Sequence, residues 1–447
     1  MVRRMINDVI RYVRLAKNIH TLRRNVWLKR VELERMQQKK LRAVIKHAYH
    51  NVPFYHRLFD SAGVKPDDIK TIDDLSKIPI ITKSQIKHAG SDIIARNVEI
   101  SKCTERTTSG STGLPLKIIR CGEESSIGGA TYSRLYKENG RRGDDVVYAL
   151  TGPQHIPGIE NRSLFYNIAY NLATKSCGEP TYKYVSVFEN MKDQLSILKK
   201  TNPTVISGYP TSIKLLAMAA QDSGINIHPR LIFTASELLD AESRQIISSV
   251  FDVNPIDFYA TVENDVVAWE CSEHTGYHMN IDTVAIEFIK DNEAVATGEK
   301  GEVILTNLYT YAMPFIRYKI GDVASPSEEQ CPCGRGLPLM KNIQGRVDDF
   351  VKLPDGRVLS PRTFYALMKP FFSVLLHYKI IQEREDRFVI ELVKGKDFSE
   401  DIIPKNERRF KEVLGDDIQI EYKIVDEITK EKSGKLRAVF SKVKIFE

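Results

Sequence analysis

Between residues 123 and 250 short apolar runs alternate with longer amphipathic ones, and this alternation restricts the fold more than any other feature of the chain. Residues 146–150, 205–209 and 231–235 are compact runs rich in Val, Ile, Leu, Phe and Tyr, as buried strands are. Residues 123–138, 191–200, 213–222 and 241–250 repeat apolar positions at helical spacing. Strands separated by helices of about ten residues require crossover connections, and so predict a parallel sheet with helices on both faces. Ligands of such sheets bind beyond the carboxyl ends of the strands. Ser236, Glu237 and the segment 259–263 fall at such ends.

From about residue 284 the pattern changes. Residues 284–289 and 301–306 alternate in the manner of antiparallel strands. After Gly345 a last segment of about one hundred residues carries strand-like runs at 378–381, 387–393 and 418–424, and a helical run at 405–413. The expected fold class is therefore α/β. A large N-terminal domain holds parallel α/β sheet plus a β subdomain, and a small, mobile α+β domain follows at the C-terminus. The expected divisions are a basic helical segment at 1–50 belonging to the large domain, the body of that domain at 51–346, and the small domain at 347–447. Between 51 and 83 short turns and one buried strand or loop are expected.

Of the 447 residues 42% are hydrophobic and 28% charged, an ordinary balance for a globular protein with a sizeable core. No apolar run reaches the length of a membrane span, and no secretory signal is visible, so a cytoplasmic location is expected. Six cysteines in so long a chain make no disulfide framework; their spacing suggests metal binding or reduced thiols. The charge is unevenly placed. Residues 1–50 hold fourteen Lys and Arg against three Asp and Glu, a balance of +11, so the remainder of the +7 chain is at −4. That argues against a nucleic-acid grip spread over the whole molecule. Ile6, Val9, Ile10, Val13 and Ala16 lie at helical spacing among arginines. This pattern suits peripheral contact with an anionic membrane, or a solvated helix packed on its own domain.

The stretch 107–115 sets Gly110 and Gly113 among the hydroxyls of Thr107, Thr108, Ser109, Ser111 and Thr112. Such a loop brings backbone N–H groups and small donors close to an oxygen-rich anion, and a nucleotide phosphate is the obvious candidate. No Gly-Lys-Ser/Thr ends it, so it is not the phosphate loop of GTPases; a Ser/Thr/Gly-rich surface hairpin is the ordinary alternative. Glu263 at a strand end suits Mg²⁺, a cation that takes oxygen ligands. Asp322 after Gly321 has two acceptor oxygens for the hydroxyls of a ribose. Lys435, between Gly434 and Leu436 in a mobile-looking tail, suits a phosphate whose charge grows in a transition state. Each of these three also reads as an ordinary surface charge.

Taken together and in this order, the loop, Phe258-Tyr-Ala-Thr-Val-Glu-Asn264, Ile316-Arg-Tyr-Lys-Ile-Gly-Asp322, Gln344-Gly-Arg-Val-Asp-Asp349 and Lys432-Ser-Gly-Lys-Leu-Arg437 resemble the adenylate-forming superfamily. The resemblance is to phenylacetate-CoA ligases and CapK-type capsular polysaccharide proteins, and extends to Val52-Pro-Phe-Tyr55 and Ile78-Pro-Ile-Ile-Thr-Lys83. It implies ATP-dependent activation of a carboxylic acid to an acyl-adenylate, then transfer to CoA or, in a CapK-like role in surface glycan assembly, to an amine or sugar amine. A nucleotide-binding scaffold without catalysis is the rival of another class. By the resemblance, Ser109, Gly110, Ser111, Thr112 and Gly113 would hold the β- and γ-phosphates, and Ser236 and Glu237 would lie by the nucleotide. Tyr259 would lie against adenine, Glu263 would ligate Mg²⁺, and Asp322 with Arg346 would take the ribose. Lys435 would bridge the α-phosphate and the substrate carboxylate, and Asp348 would be the hinge. The chain departs from the family where Val262 replaces a hydroxyl residue, a role left to Thr261, and where Leu116 and then Lys117 follow the loop proline in place of a lysine.

Cys331-Pro-Cys333, with Cys271 and either His274 or His278 upstream, offers the thiolates and imidazole that tetrahedral Zn²⁺ prefers. Unrelated reduced cysteines in a turn-rich region fit the spacing as well. The resemblance favours zinc, and His278 over His274. His155, Tyr132 and Tyr136 are candidates for an acyl pocket, or for core.

Overall fold

The computed structural model describes residues 2–107, 116–152, 180–187, 189–343, 351–355, 357–359, 361–371, 374–429 and 437–443, with residues 2–12 by their backbone alone. The strands, in chain order, are β1 (Thr104–Thr107), β2 (Lys117–Arg120), β3 (Val146–Thr151), β4 (Thr181–Ser186), β5 (Val205–Gly208), β6 (Leu231–Ala235) and β7 (Ile256–Thr261). They continue with β8 (Asp265–Glu270), β9 (Tyr277–Met279), β10 (Val284–Lys290), β11 (Glu293–Ala294), β12 (Gly301–Asn307), β13 (Tyr318–Ser327) and β14 (Leu339–Lys341). The C-terminal strands are β15 (Val351–Lys352), β16 (Val358–Leu359), β17 (Leu375–Arg384), β18 (Arg387–Lys394), β19 (Gln419–Val425) and β20 (Val439–Ser441).

Among the described residues twelve strands form one sheet in the order β11-β10-β12-β13-β14-β9-β8-β7-β6-β5-β3-β4. The half from β4 to β7 is parallel and the half from β8 to β11 is antiparallel. The expected parallel sheet and the expected β subdomain are thus two halves of one hydrogen-bonded ladder, which change character at the β7–β8 hairpin.

The crossover helices are stopped and started by local chemistry. Helix Met191–Thr201 begins at Asn190, whose side chain accepts from Asp193 N, and ends with Asn202 in the left-handed region at φ 40°. Helix Pro210–Asp222 has its proline in the first turn, where the missing N–H is no loss, and buries Ile213, Leu216, Ala217 and Ala220. Helix Ala241–Phe251 is capped by Asp240, which accepts from Ser243 N. Their apolar faces close one core over Tyr148, Leu150, Ile206 and Ile232.

The N-terminal segment is two helices, Val2–Asn25 and Arg30–Asn51. The second buries Leu33, Gln37, Leu41, Val44, Ile45 and Ala48, a stripe that seats it on the large domain. A buried ion pair fastens both helices: Arg134 Nη1 lies 2.8 Å from Asp282 Oδ2, with both side chains fully buried. Asn25 Nδ2 donates to the same oxygen at 2.9 Å, and Lys40 Nζ donates to the Asp282 carbonyl at 2.5 Å. Among the described residues no helix is long and apolar enough to cross a membrane.

Of the short turns and one buried strand or loop expected after residue 51, the turns are present, and two helices join them. Pro53–Ser61 and Lys83–Ala89 are helices, joined by short 3-10 turns. Pro53 opens the first, and the pair Tyr55 and Phe59, four residues apart, supplies its buried face. The prediction failed there because so short a helix shows only one repeat of its period. The expectation of reduced thiols also needs correcting at one place: Cys103 and Cys121 form a disulfide at the foot of the β1–β2 hairpin.

The C-terminal unit is a four-stranded sheet, β19-β18-β17-β20, covered by helices Pro361–Met368 and Ile402–Leu414. It has its own core of Phe364, Phe388, Ile390, Phe410 and Leu414. This is the small α+β arrangement the sequence predicts. The expected boundary near residues 346–349 lies outside the described residues.

Candidate functional site

The β7–β8 hairpin sits where the parallel half of the sheet meets the antiparallel half, at the carboxyl end of β7. Its turn, Thr261 to Asp265, is held by its own side chains. Thr261 Oγ1 accepts from Asn264 N at 3.0 Å, and Asp265 takes a left-handed backbone at φ 54°, a conformation that Asp and Asn tolerate better than most residues. Glu263 projects from this turn and is only 5% exposed. Tyr318 Oη, from the start of β13, donates to Glu263 Oε1 at 3.3 Å. Four residues on, Asp322 Oδ2 accepts from Tyr259 Oη at 2.5 Å. Gly321 has a φ of 91°, so the strand twists at the residue before this carboxylate.

Tyr259, Glu263 and Asp322 are therefore brought together from strands separated in sequence, with β13 supplying a partner to each end of the β7 hairpin. Thr261 shares the turn. Ser236 and Glu237 follow β6, Ser236 with φ 73°. Glu237 Oε2 accepts from Thr211 N at 3.2 Å, so this carboxylate caps the helix after β5. Ser109, Gly110, Ser111, Thr112, Gly113, His155, Arg346, Asp348 and Lys435 lie outside the described residues. Tyr132 and Tyr136 pack edge-on to Phe258 at centroid distances of 6.2 and 6.1 Å, and Tyr136 meets Phe233 at 4.8 Å. Burial pushes the phenol of Tyr132 up from its ordinary value.

Three further residues of the site escape sequence reading. Arg120, fully buried at the end of β2, donates from Nη2 to the Glu263 carbonyl at 2.6 Å and to the Val262 carbonyl at 3.3 Å. Arg120 and Arg106 both pair with Asp265. Nothing local in the sequence announces contacts across so many residues.

In the Cys/His cluster the structure groups His278, and not His274, with the three cysteines. The ligand atoms of Cys271, His278, Cys331 and Cys333 all lie within 4.8 Å of one another. Cys271 Sγ is 3.5 Å from Cys331 Sγ, and Cys333 Sγ is 3.4 Å from His278 Nε2. The two shorter separations are those of donors around one tetrahedral centre with bonds of about 2.0–2.3 Å. His274 is turned away: its Nδ1 lies 3.3 Å from Glu270 Oε2 and 3.2 Å from Arg244 Nη1. His278 Nδ1 is 3.4 Å from the Leu337 carbonyl, which aims Nε2 at the sulfurs. Burial pushes the Cys271 thiol up to about 12 and holds His278 down at about 4. An uncharged imidazole is ready to ligate, while a buried thiolate requires a cation beside it.

Residues 353–442 match the CapK C-terminal domain. Phenylacetate-coenzyme A ligase of Thermus thermophilus is 26% identical over 371 residues, 80% of this chain and 80% of that protein. Protein CapK of Staphylococcus aureus is 23% identical over 426 residues, 92% and 90% of the two chains. A crystal structure of 2-hydroxyisobutyryl-CoA ligase in the postadenylation state, in complex with 2-HIB-AMP, superposes with a TM-score of 0.77 at 19% identity, covering 94% of this chain and 91% of that one.

Proposed function

We propose, from the premise that this chain belongs to the adenylate-forming superfamily on the side of phenylacetate-CoA ligases and CapK proteins, that it is an ATP-dependent ligase. It activates a carboxylic acid as its acyl-adenylate, releases pyrophosphate, and passes the acyl group to CoA. The observation that carries this reading is the convergence of Tyr259, Glu263 and Asp322 at the carboxyl end of β7.

Each residue then has a task that its surroundings suit. Asp322 holds the ribose hydroxyls: a carboxylate has about four acceptor sites, and Tyr259 Oη occupies one of them. The Tyr259 ring lies along the adenine, Arg346 assists at the ribose, and Ser236 and Glu237 border the nucleotide. Ser109, Gly110, Ser111, Thr112 and Gly113 cradle the β- and γ-phosphates. Glu263, a buried carboxylate beside a hydroxyl, fits a hard divalent cation. Magnesium bound there supplies charge neutralisation, which a carboxylate nucleophile approaching a polyanion needs. Lys435 brings a cation to the α-phosphate and the substrate carboxylate from the small domain, and Asp348 is the pivot about which that domain moves. Thr261 stands in for the hydroxyl that Val262 lacks.

Cys271, His278, Cys331 and Cys333 hold a structural zinc ion, a closed four-ligand set with no open position for catalysis. It ties the end of β8 and the strand β9 to the loop before β14. Peripheral contact with an anionic membrane remains a role for the first helix, since the second buries its apolar face on the domain.

The test is ATP–pyrophosphate exchange with a panel of carboxylic acids, followed by addition of CoA or of candidate amines. Acid-dependent exchange, then AMP with a thioester, is the expected result. Amide or ester product without thioester moves the acceptor to the CapK-like class, which the match of residues 353–442 favours. Failure to bind ATP leaves a scaffold and overturns the proposal.

A further inference from the structure

The two arms of the β1–β2 hairpin end on one carboxylate. Arg106 on β1 and Arg120 on β2 are diagonal neighbours on the same face of the hairpin, since Thr104 pairs with Arg120 and Arg106 with Ile118. Arg106 Nη1 lies 2.7 Å from Asp265 Oδ1, and Arg120 Nη1 lies 3.2 Å from Asp265 Oδ2. Tyr309 Oη donates to Oδ2 at 2.6 Å. The carboxylate is 2% exposed and Arg120 not at all. The residue that both arms seize is the first after the turn bearing Glu263. Arg120 also grips that turn directly, through the carbonyls of Glu263 and Val262, and Asn307 Nδ2 donates to the Glu263 carbonyl at 3.2 Å. Helix Gly122–Glu138 closes over the cluster at Gly128, where any Cβ would collide with the Asp265 carboxylate.

We propose that Arg106, Arg120 and Asp265 are positioning residues that fix strands β1 and β2 to the turn carrying Glu263, so that a divalent cation arriving with the nucleotide meets a prearranged carboxylate. This rests on the adenylation reading above. The physical reason is preorganisation. A turn that bears a metal ligand must otherwise be ordered during binding, and ordering it beforehand removes that penalty from the reaction. None of the three residues touches substrate in this scheme; they act through the backbone of residues 261–265 and 116–120.

Arg106 is 36% exposed at its side chain, so Arg106→Gln tests the idea in a variant that folds. Its expected signature is a rise of about tenfold or more in the Mg²⁺ concentration giving half-maximal ATP–pyrophosphate exchange, the scale seen when partners behind a metal ligand are removed. The rate at saturating Mg²⁺ should change little, and Arg106→Lys should recover part of the loss. Thioester formation from a supplied acyl-adenylate should be unaffected. Amide hydrogen exchange without any ligand gives the second readout: protection should fall together in the β1–β2 arms and in residues 261–265, for Arg106→Gln and for Asp265→Asn. Wild-type Mg²⁺ dependence in Arg106→Gln overturns the proposal, as does loss of protection confined to the hairpin. Should the wild-type protein show no exchange with any acid, the adenylation reading falls, and joint or separate loosening of the two segments still decides the mechanical coupling.

Discussion

Removing the Tyr259 hydroxyl is a direct way to ask what Asp322 does. Tyr259→Phe keeps the ring, and with it any stacking against a base, and deletes the 2.5 Å hydrogen bond to Asp322 Oδ2. Hydrogen bonds to charged groups contribute about 1.5–3 kcal/mol. Both side chains are half-buried rather than fully enclosed, which places this one near the lower end. A carboxylate can serve Tyr259 and a ribose hydroxyl at once, so the phenol orients the acceptor rather than competing for it. Losing about 1.5 kcal/mol of orientation corresponds to a rise of about tenfold in the dissociation constant for ATP. Calorimetric titration with ATP measures it, and pyrophosphate exchange at saturating ATP should run close to the wild-type rate, because the hydroxyl takes no part in the transfer. The opposite sign is the informative failure. Tighter ATP binding in Tyr259→Phe would mean that the phenol blocks Asp322 in the free protein, and an unchanged constant would mean that Asp322 does not hold the nucleotide.

Three other outcomes are expected. Lys435→Ala should abolish exchange while ATP binding persists; an unaltered exchange rate would remove this lysine from the mechanism. The purified protein should carry about one zinc per chain, lost on Cys333→Ser together with a lower thermal midpoint; metal analysis showing a small fraction of an equivalent would reject the site. The third concerns the buried pair of Arg134 and Asp282. Replacing Arg134 by Met should cost about 3–5 kcal/mol in urea unfolding, because a buried carboxylate loses its main partner. Burial raises the Asp282 carboxyl, but the charges of Arg134 and Lys40 outweigh it and hold the group below the usual carboxylate value. A depressed pKa contributes stability that is complete above the unfolded-state value of about 3.9 and is lost as pH falls through the folded one. Asp282→Asn should therefore be less stable than wild type at neutral pH and should lose less on acidification. Parallel pH profiles for the two proteins would refute this.

How much of this was legible beforehand follows from the range of the interactions. The helices and strands of the parallel half are written in local periodicity, and the observed bounds differ from the expected ones at their ends, where caps decide. Pro210 extends a helix expected to begin at residue 213, since proline in a first turn needs no donor. The four candidate metal ligands could be suggested from residue type alone, yet only geometry separates His278 from His274, four residues apart in the interval after Cys271. The union of the two halves into one sheet was not legible. It depends on β14 pairing with β9, and a strand carries no mark of a partner some sixty residues away.

The same limit explains why Asp265 was passed over. In the sequence it is one carboxylate after Asn264, with no repeat, spacing or motif to distinguish it from the surface acids. Its partners are 145 and 159 residues away. What identifies it is a conjunction visible only after folding: a left-handed φ, a glycine required opposite, and two guanidiniums for one charge. A surface acid would need none of these, and a buried arginine is unfavourable unless it is paired and hydrogen-bonded, as Arg120 is to Asp265 and to the carbonyls of Val262 and Glu263. The cluster makes physical sense as a brace for the turn that bears Glu263, and that is the reason to look for its effect in Mg²⁺ dependence before looking for it in stability.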